Sequence, residues 1–333
     1  MTDKQWTLAE LYLAELDARQ VADAIALAVS LGVFESLSQG PISLDELEQK
    51  IPLPRLIMER LLSVLVAVGR VEQYGDDFAL SQVAALLERA PSEEAALGVP
   101  GDWNARLLGG FLRAVGDWFF LAVTPDASET IRRRAAIRQW ALTASAIQAA
   151  EAIESCLPDE ACHVLELGGG ASVFSAALAY RCPAIRVTSF DREGMLKLAR
   201  STYESIGMED RWTASDADYR RVDLPLGGAD VVLLPMVVQL HADPTAVILL
   251  GRACDALVDG GTVVIMESLD EPESPSIQNT LESLTLALEG CEGHIRSSVE
   301  MQRLLTGAGF GDAQWGLLDR GPRCIGLVIA QKK

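Results

Sequence analysis

The chain has 333 residues, 49% hydrophobic and 23% charged, with a formal net charge of −19. Its length accommodates two domains of ordinary globular composition. So acidic a surface opposes nucleic acid and anionic membrane as partners, because both recruit clustered Lys and Arg, and no uninterrupted apolar run is long enough to cross a bilayer.

The opening Met1-Thr2-Asp3-Lys4-Gln5 has no basic n-region, so the expected location is the cytoplasm. Residues 8–37 read as helix, with Leu8, Leu11, Leu16, Val21, Ile25, Ala28 and Val29 at helical spacing. Ser43 followed by Glu46 is a capping box that starts a further helix. A longer amphipathic helix runs from about Met58 to Val68 and ends at Gly69. Val71–Tyr74, a Gly75-Asp76-Asp77 turn and Phe78–Leu80 predict a β-hairpin, and Ser81 caps a short helix through Leu87. Helix, helix and hairpin in that order make a winged helix, a fold that often binds DNA. Residues 1–100, however, hold 16 acidic against 7 basic side chains, a balance of −9, which a phosphate backbone repels.

Pro91–Pro100 is a polar linker. Residues 102–123 (Trp103, Phe111, Trp118, Phe119, Phe120) and 131–153 (Trp140) predict two aromatic helices. Such stripes serve as core or as pocket wall. From Cys162 onward strands and helices alternate. Strands are expected at 163–167, 185–190, 211–214, 229–235 and 262–266, helices at 195–205, 245–257 and 299–307, and a closing hairpin at 313–318 and 324–330. The expected fold class is α/β, a Rossmann-like doubly wound domain over 156–333, preceded by connecting helices over 101–155 and an α-helical winged-helix domain over 1–100. The six cysteines (Cys156, Cys162, Cys182, Cys254, Cys291, Cys324) have no C-x-x-C spacing, and there are three histidines. The thiols read as reduced, and no metal is expected.

The stretch Val164-Leu165-Glu166-Leu167-Gly168-Gly169-Gly170-Ala171-Ser172 is a strand, a tight turn and a helix start. Any tight connection of strand to helix can use glycine, so the turn alone is a weak signal. Its details favour a nucleoside other than a dinucleotide. The G-x-G-x-x-G spacing and the Gly-Lys-Ser/Thr of a P-loop are both absent. The acid before the glycines would repel phosphate and attract a cation, such as the amino end of S-adenosyl-L-methionine (SAM). Asp191 closes the next strand, where an acid suits the two hydroxyls of a ribose.

Glu166–Gly170 followed by Asp191 resembles the cofactor segment of class I SAM-dependent methyltransferases. The whole chain resembles the two-domain small-molecule O-methyltransferases of plant natural-product and bacterial polyketide or carotenoid pathways, down to the Leu31–Leu37 and Gly40–Leu47 segments. The resemblance implies SAM as cofactor, a small-molecule acceptor in secondary metabolism and a homodimer formed through residues 1–100, with neither nucleic acid nor membrane. It places the amino-acid end of SAM at Gly168, Gly169 and Gly170 with Glu166 behind them, the ribose at Asp191 beside Arg192, and the adenine at Asp216 and Ala217, with Pro235 at the end of the fourth strand. Trp118 and Trp140 would line the substrate pocket, and Glu267 matches the family's first supporting acid.

Several positions depart from the family pattern. Ala217 stands where an aromatic would stack, and Ser172 where glycine is usual, so that its side chain either crowds the cofactor or bonds to it. The family's catalytic histidine falls on Gln239 in a gap-free register, with His241 at the neighbouring tryptophan and the second supporting acid near Ile295. Glutamine is no general base at neutral pH. Three readings remain open: a bulge that brings His241 into the site, a nucleophile that needs little activation, or a SAM-consuming reaction other than methyl transfer, such as intramolecular cyclisation releasing methylthioadenosine. A non-catalytic SAM-binding regulator is a further reading, which the charge of residues 1–100 opposes. His163 and His294 read as structural or surface residues.

Overall fold

The computed structural model describes residues 3–82, 84–85, 142–154, 157, 162–270, 276–319 and 325–333. The expectations for 86–141, including Trp118 and Trp140, lie outside the described residues. The chain divides into two compact units, one of residues 1–9, 128–272 and 291–333, the other of residues 10–127 and 273–290.

In the second unit the expected first helix is two. Helix α1 (Asp3–Ser30) stops before Gly32, whose φ of 73° ends one helix and admits α2 (Val33–Leu37). A glycine takes that left-handed conformation without the Cβ penalty. Strand β1 (Ile42–Ser43) leads to α3 (Leu44–Lys50), and the Ser43–Glu46 capping box is formed in both directions. Helix α4 (Arg55–Ala67) follows, then β2 (Val71–Tyr74) and β3 (Asp77–Leu80), which with β1 make a sheet of order β1-β3-β2. Leu47, Met58, Leu61, Leu62, Leu65, Val71 and Phe78 fill its core.

The first unit opens with a helix over residues 142–153, α5. Strand β4 (Cys162–Leu167), α6 (Val173–Arg181), β5 (Ile185–Asp191), α7 (Glu193–Ser205), β6 (Trp212–Asp216), β7 (Ala229–Pro235), α8 (Asp243–Ala256) and β8 (Leu257–Glu267) alternate as expected. A short β9 (Leu269–Asp270) follows β8. The chain then passes into the second unit as α9 (Ile277–Leu288), an element outside the sequence expectations, whose Leu281 and Leu284 join the core there. It returns as β10 (Arg296–Ser297), α10 (Ser298–Gly307), β11 (Gln314–Leu318) and β12 (Ile325–Gln331).

The main sheet has the order β11-β12-β8-β7-β4-β5-β6. Strands β6, β5, β4, β7 and β8 run parallel, and β12 is antiparallel to both β8 and β11. Near-continuous burial along β4 and β7 marks strands covered on both faces. The side chains divide between two apolar clusters, one containing Leu249, Leu250, Met301 and Leu305, the other Ala146, Phe174, Leu178, Leu196 and Ala199. Connections from β4 lead outward to β5 and β6, and those from β7 lead the other way. The order therefore reverses between β4 and β7, and the carboxyl ends of these strands open the crevice where doubly wound sheets bind ligands. Among the described residues no helix is long and apolar enough to cross a membrane, and no cluster of metal-ligating side chains occurs. Among the described residues Cys162, Cys182, Cys254 and Cys291 form no disulfide.

Candidate cofactor and active site

The glycine loop leaves β4 at the reversal point. Gly168 and Gly170 have φ of 67° and 58°, a region that side chains rarely enter. Glu166 ends beneath the loop with no solvent exposure. A Cβ added to Gly169 would lie 2.1 Å from the Glu166 carboxyl carbon, so the loop rests directly on that carboxylate. Its Oε2 accepts from Ser172 Oγ at 2.5 Å and Ser189 Oγ at 2.7 Å, and Ser189 in turn accepts from Trp212 Nε1 at 2.8 Å. Oε1 is buried with no hydrogen-bond partner. Burial pushes the Glu166 carboxyl above the ordinary carboxylate range, against the opposing serine bonds.

Ser172, where the family pattern usually has glycine, is buried against Glu166. It adopts φ 57° and turns its hydroxyl inward to Glu166, at 1% exposure. Left-handed backbone at a non-glycine residue costs about 1–3 kcal/mol, and the buried bond to a carboxylate offsets that by a similar amount, about 1.5–3 kcal/mol. Ser172 is also the N-cap of α6 but makes no side-chain cap, so the first N–H groups of the helix stay available to an anion.

One strand over, Asp191 closes β5 at 9% exposure. Its Oδ2 accepts from Gly170 N at 3.0 Å and its Oδ1 from Arg192 N at 2.7 Å. The carboxylate thereby ties the glycine loop to β5 and keeps spare lone pairs for hydroxyl donors. Burial raises its pKa, and the two backbone N–H groups oppose that rise. Arg192 is exposed at the N-cap of α7, and exposed Asp216 accepts from Glu193 N at 3.0 Å. Half-buried Ala217 donates its N–H to Asp191 O at 3.0 Å.

An aromatic ring absent from the sequence expectations stands close by. Tyr219 packs on the glycine loop, its ring atom Cε1 2.9 Å from a Cβ position on Gly168. Its hydroxyl lies 3.2 Å from His241 Nε2, and burial pushes its pKa up to about 12. An aromatic two residues past Ala217 was the available signal.

The β7 strand ends at buried Pro235 and turns at Met236, a second non-glycine residue with φ of 57°. A 3₁₀ turn, Val238–Leu240, carries Gln239, which has no solvent exposure and donates its backbone N–H to Glu267 Oε2 at 2.9 Å. Glu267, at the end of β8, is equally buried. His241 is half-buried and edge-on to Tyr219 at 6.0 Å between ring centres. Burial, then the charges of Arg220 and Arg296, hold its pKa below the usual histidine value. The sequence reading placed an acid of the family pattern near Ile295, and that residue is a buried apolar side chain. His163 is structural: its ring nitrogens lie 2.8 Å from Gly228 O and 3.0 Å from Thr188 Oγ1. Glu166, Gly168, Gly169, Gly170 and Asp191 thus gather around one loop, and Pro235, Gln239, His241 and Glu267 around the adjacent turn.

These residues fit a nucleoside carrying a cationic amino-acid tail. A buried carboxylate with one unpartnered oxygen lies beneath a loop whose Gly170 has open space at its Cβ position, and a second buried acid, Asp191, lies one strand away. Residues 102–311 match the O-methyltransferase domain family. The mitomycin biosynthesis 6-O-methyltransferase of Streptomyces lavendulae is 27% identical over 307 residues, which cover 87% of this chain and 85% of that protein. Demethylspheroidene O-methyltransferase of Cereibacter sphaeroides is 30% identical over 149 residues, 45% of this chain and 39% of that protein's length. The fold is shared with an O-methyltransferase family 2 protein of Planctomyces limnophilus, crystallised with apigenin, at a TM-score of 0.71 and 21% identity, covering 98% of this chain and 95% of that one. The chain therefore belongs to the O-methyltransferase domain family, enzymes that move a methyl group from S-adenosyl-L-methionine to small molecules.

Proposed function

We propose that the acceptor is a hydroxylated secondary metabolite, and that its methylation proceeds without a histidine base. The observation that carries this reading is the burial of Gln239 on the turn after β7; the gap-free register of the sequence sets that residue against the family's histidine. When bound, SAM supplies an electrophilic methyl group on a sulfonium. Glu166 compensates the ligand's ammonium from beneath the loop, Gly168, Gly169 and Gly170 let its backbone approach, and Asp191 accepts from the ribose hydroxyls. Arg192, Asp216, Ala217 and Tyr219 surround the base, and Pro235 borders the cleft. Glu267 fixes the Gln239 turn through its backbone N–H. The Gln239 side chain orients a polar group of the acceptor. The acceptor oxygen would be the nucleophile, and with no basic side chain at Gln239 the acceptor's proton would pass to solvent. Holding the two reactants in register supplies most of the rate.

The test uses SAM with a panel of phenols, naphthols and hydroxyquinones, read by mass spectrometry of methylated product. Removing a general base costs about 10²–10⁴-fold in rate, so Gln239→Ala is expected to lose less than that. His241→Ala should act only through the Tyr219 contact. A basic histidine must be deprotonated, so a His241 base would give kcat/KM a limb rising with pH below about 6.5, since its pKa is lowered. No such limb is expected. If His241→Ala abolishes turnover while folding and cofactor binding survive, His241 is the base and this mechanism is wrong.

The same reading extends to assembly. Residues 1–100 form a homodimer interface in a cytoplasmic enzyme that binds neither nucleic acid nor membrane, supported by the acidic balance of that segment and by the exposed Leu11 and Val29 of α1. Light scattering at micromolar concentration should report a dimer, and a monomer there would contradict it.

A further inference from the structure

Arg296 has no solvent exposure, although arginine is among the residues least often fully buried. Its one carboxylate partner among the described residues, Asp243, is itself 55% exposed, with Oδ1 accepting from Nε at 3.0 Å and from Nη2 at 2.8 Å. The remaining donors go to backbone. Nη1 reaches Val238 O at 3.0 Å and His294 O at 3.5 Å, and Nη2 reaches His241 O at 2.6 Å. Two of these carbonyls flank Gln239 on the turn that leaves β7, and Asp243 begins α8, which has no side-chain cap.

The segment around Arg296 is fitted to that turn. A Cβ on Gly293 would lie 2.1 Å from Gln239 O and 2.4 Å from His241 N, so only glycine allows the two backbones to meet. Strand β10 pairs with β9, two residues past Glu267, with Arg296 opposite Leu269. The turn therefore has two anchors: the Glu267 carboxylate, at the end of β8 in the main sheet, on Gln239 N–H, and the Arg296 guanidinium, on β10, on Val238 O and His241 O. The turn itself is strained at Met236. A fully buried cation is a costly way to stabilise a fold, and an apolar side chain would often do so better. Its planar fork of donors instead fixes several acceptors in one geometry.

We propose that Arg296 is a positioning residue for the transfer reaction, holding the 236–243 turn in the one conformation that places Gln239. This rests on the reading that the turn borders the acceptor. The test compares Arg296→Lys and Asp243→Asn with wild type, using the panel phenol or naphthol that the wild type methylates fastest, and calorimetry with S-adenosylhomocysteine. For Arg296→Lys we expect cofactor affinity and acceptor KM within about threefold of wild type and kcat down by about 10²-fold, the size of effect that a small misplacement of reacting groups produces. Asp243→Asn keeps the carbonyl bonds and should lower kcat by about tenfold with KM unchanged. Full kcat in Arg296→Lys overturns the proposal, as does a kcat loss matched by equal losses in cofactor affinity and melting temperature, which marks a purely structural arginine. If Arg296→Lys does not fold, the same split in Asp243→Asn decides, and unchanged kcat there overturns it. A wild type that binds S-adenosylhomocysteine but methylates nothing in the panel sinks the functional reading, and this inference falls with it.

Discussion

Gly169→Ala is expected to destabilise the protein and to weaken cofactor binding more than any other single change in the loop. The new methyl group would sit 2.1 Å from the Glu166 carboxyl carbon and 2.4 and 2.5 Å from its two oxygens. The carboxylate cannot yield cheaply, because Ser172 and Ser189 hold it. Turning it away sacrifices buried hydrogen bonds to a charged group, each worth about 1.5–3 kcal/mol. Leaving it in place forces the loop outward, and overpacking of this kind typically costs about 1–3 kcal/mol. Either route lowers the melting temperature and moves the backbone that meets the ligand. Differential scanning calorimetry together with titration of S-adenosylhomocysteine checks it. Unchanged melting and unchanged affinity would mean that Glu166 does not lie under the loop.

Asp191→Ala should weaken S-adenosylhomocysteine by about tenfold to a hundredfold, the equivalent of about 1.5–3 kcal/mol for a charged hydrogen bond to a ligand hydroxyl. The carboxylate also accepts from Gly170 N and Arg192 N, so part of the loss would come from a loosened loop. Asp191→Asn separates the two contributions. The amide oxygen keeps one of the two backbone bonds while the amide nitrogen loses the other, so melting should fall less than in Asp191→Ala while affinity still falls. If Asp191→Asn binds as tightly as wild type, the ribose is held elsewhere.

Much of the parallel sheet was legible because its strands are apolar runs ended by glycine or acid, and the Ser43–Glu46 capping box formed. The loop residues Glu166 to Gly170 and Asp191 were legible because spacing alone puts them at adjacent strand ends. The break at Gly32 was missed because helical periodicity runs through it, and only a left-handed φ divides the two helices. Helix α9 was missed although Ser276 caps it through Asn279 N and its leucines keep helical spacing. Tyr219 was hidden by a two-residue offset from Ala217. Arg296 gave no sign at all: burial of a lone arginine depends on carbonyls from Val238 and His241, more than fifty positions away, which no local pattern encodes.

The most direct test of the central claim is the nucleoside left after the enzyme is incubated with SAM and the acceptor panel. Transfer of the methyl group leaves S-adenosylhomocysteine, in amounts that match the methylated product and depend on the acceptor. That is the result this account predicts. Accumulation of methylthioadenosine, with no methylated acceptor, would show that the chain attacks the methionine side of SAM instead, and would contradict it.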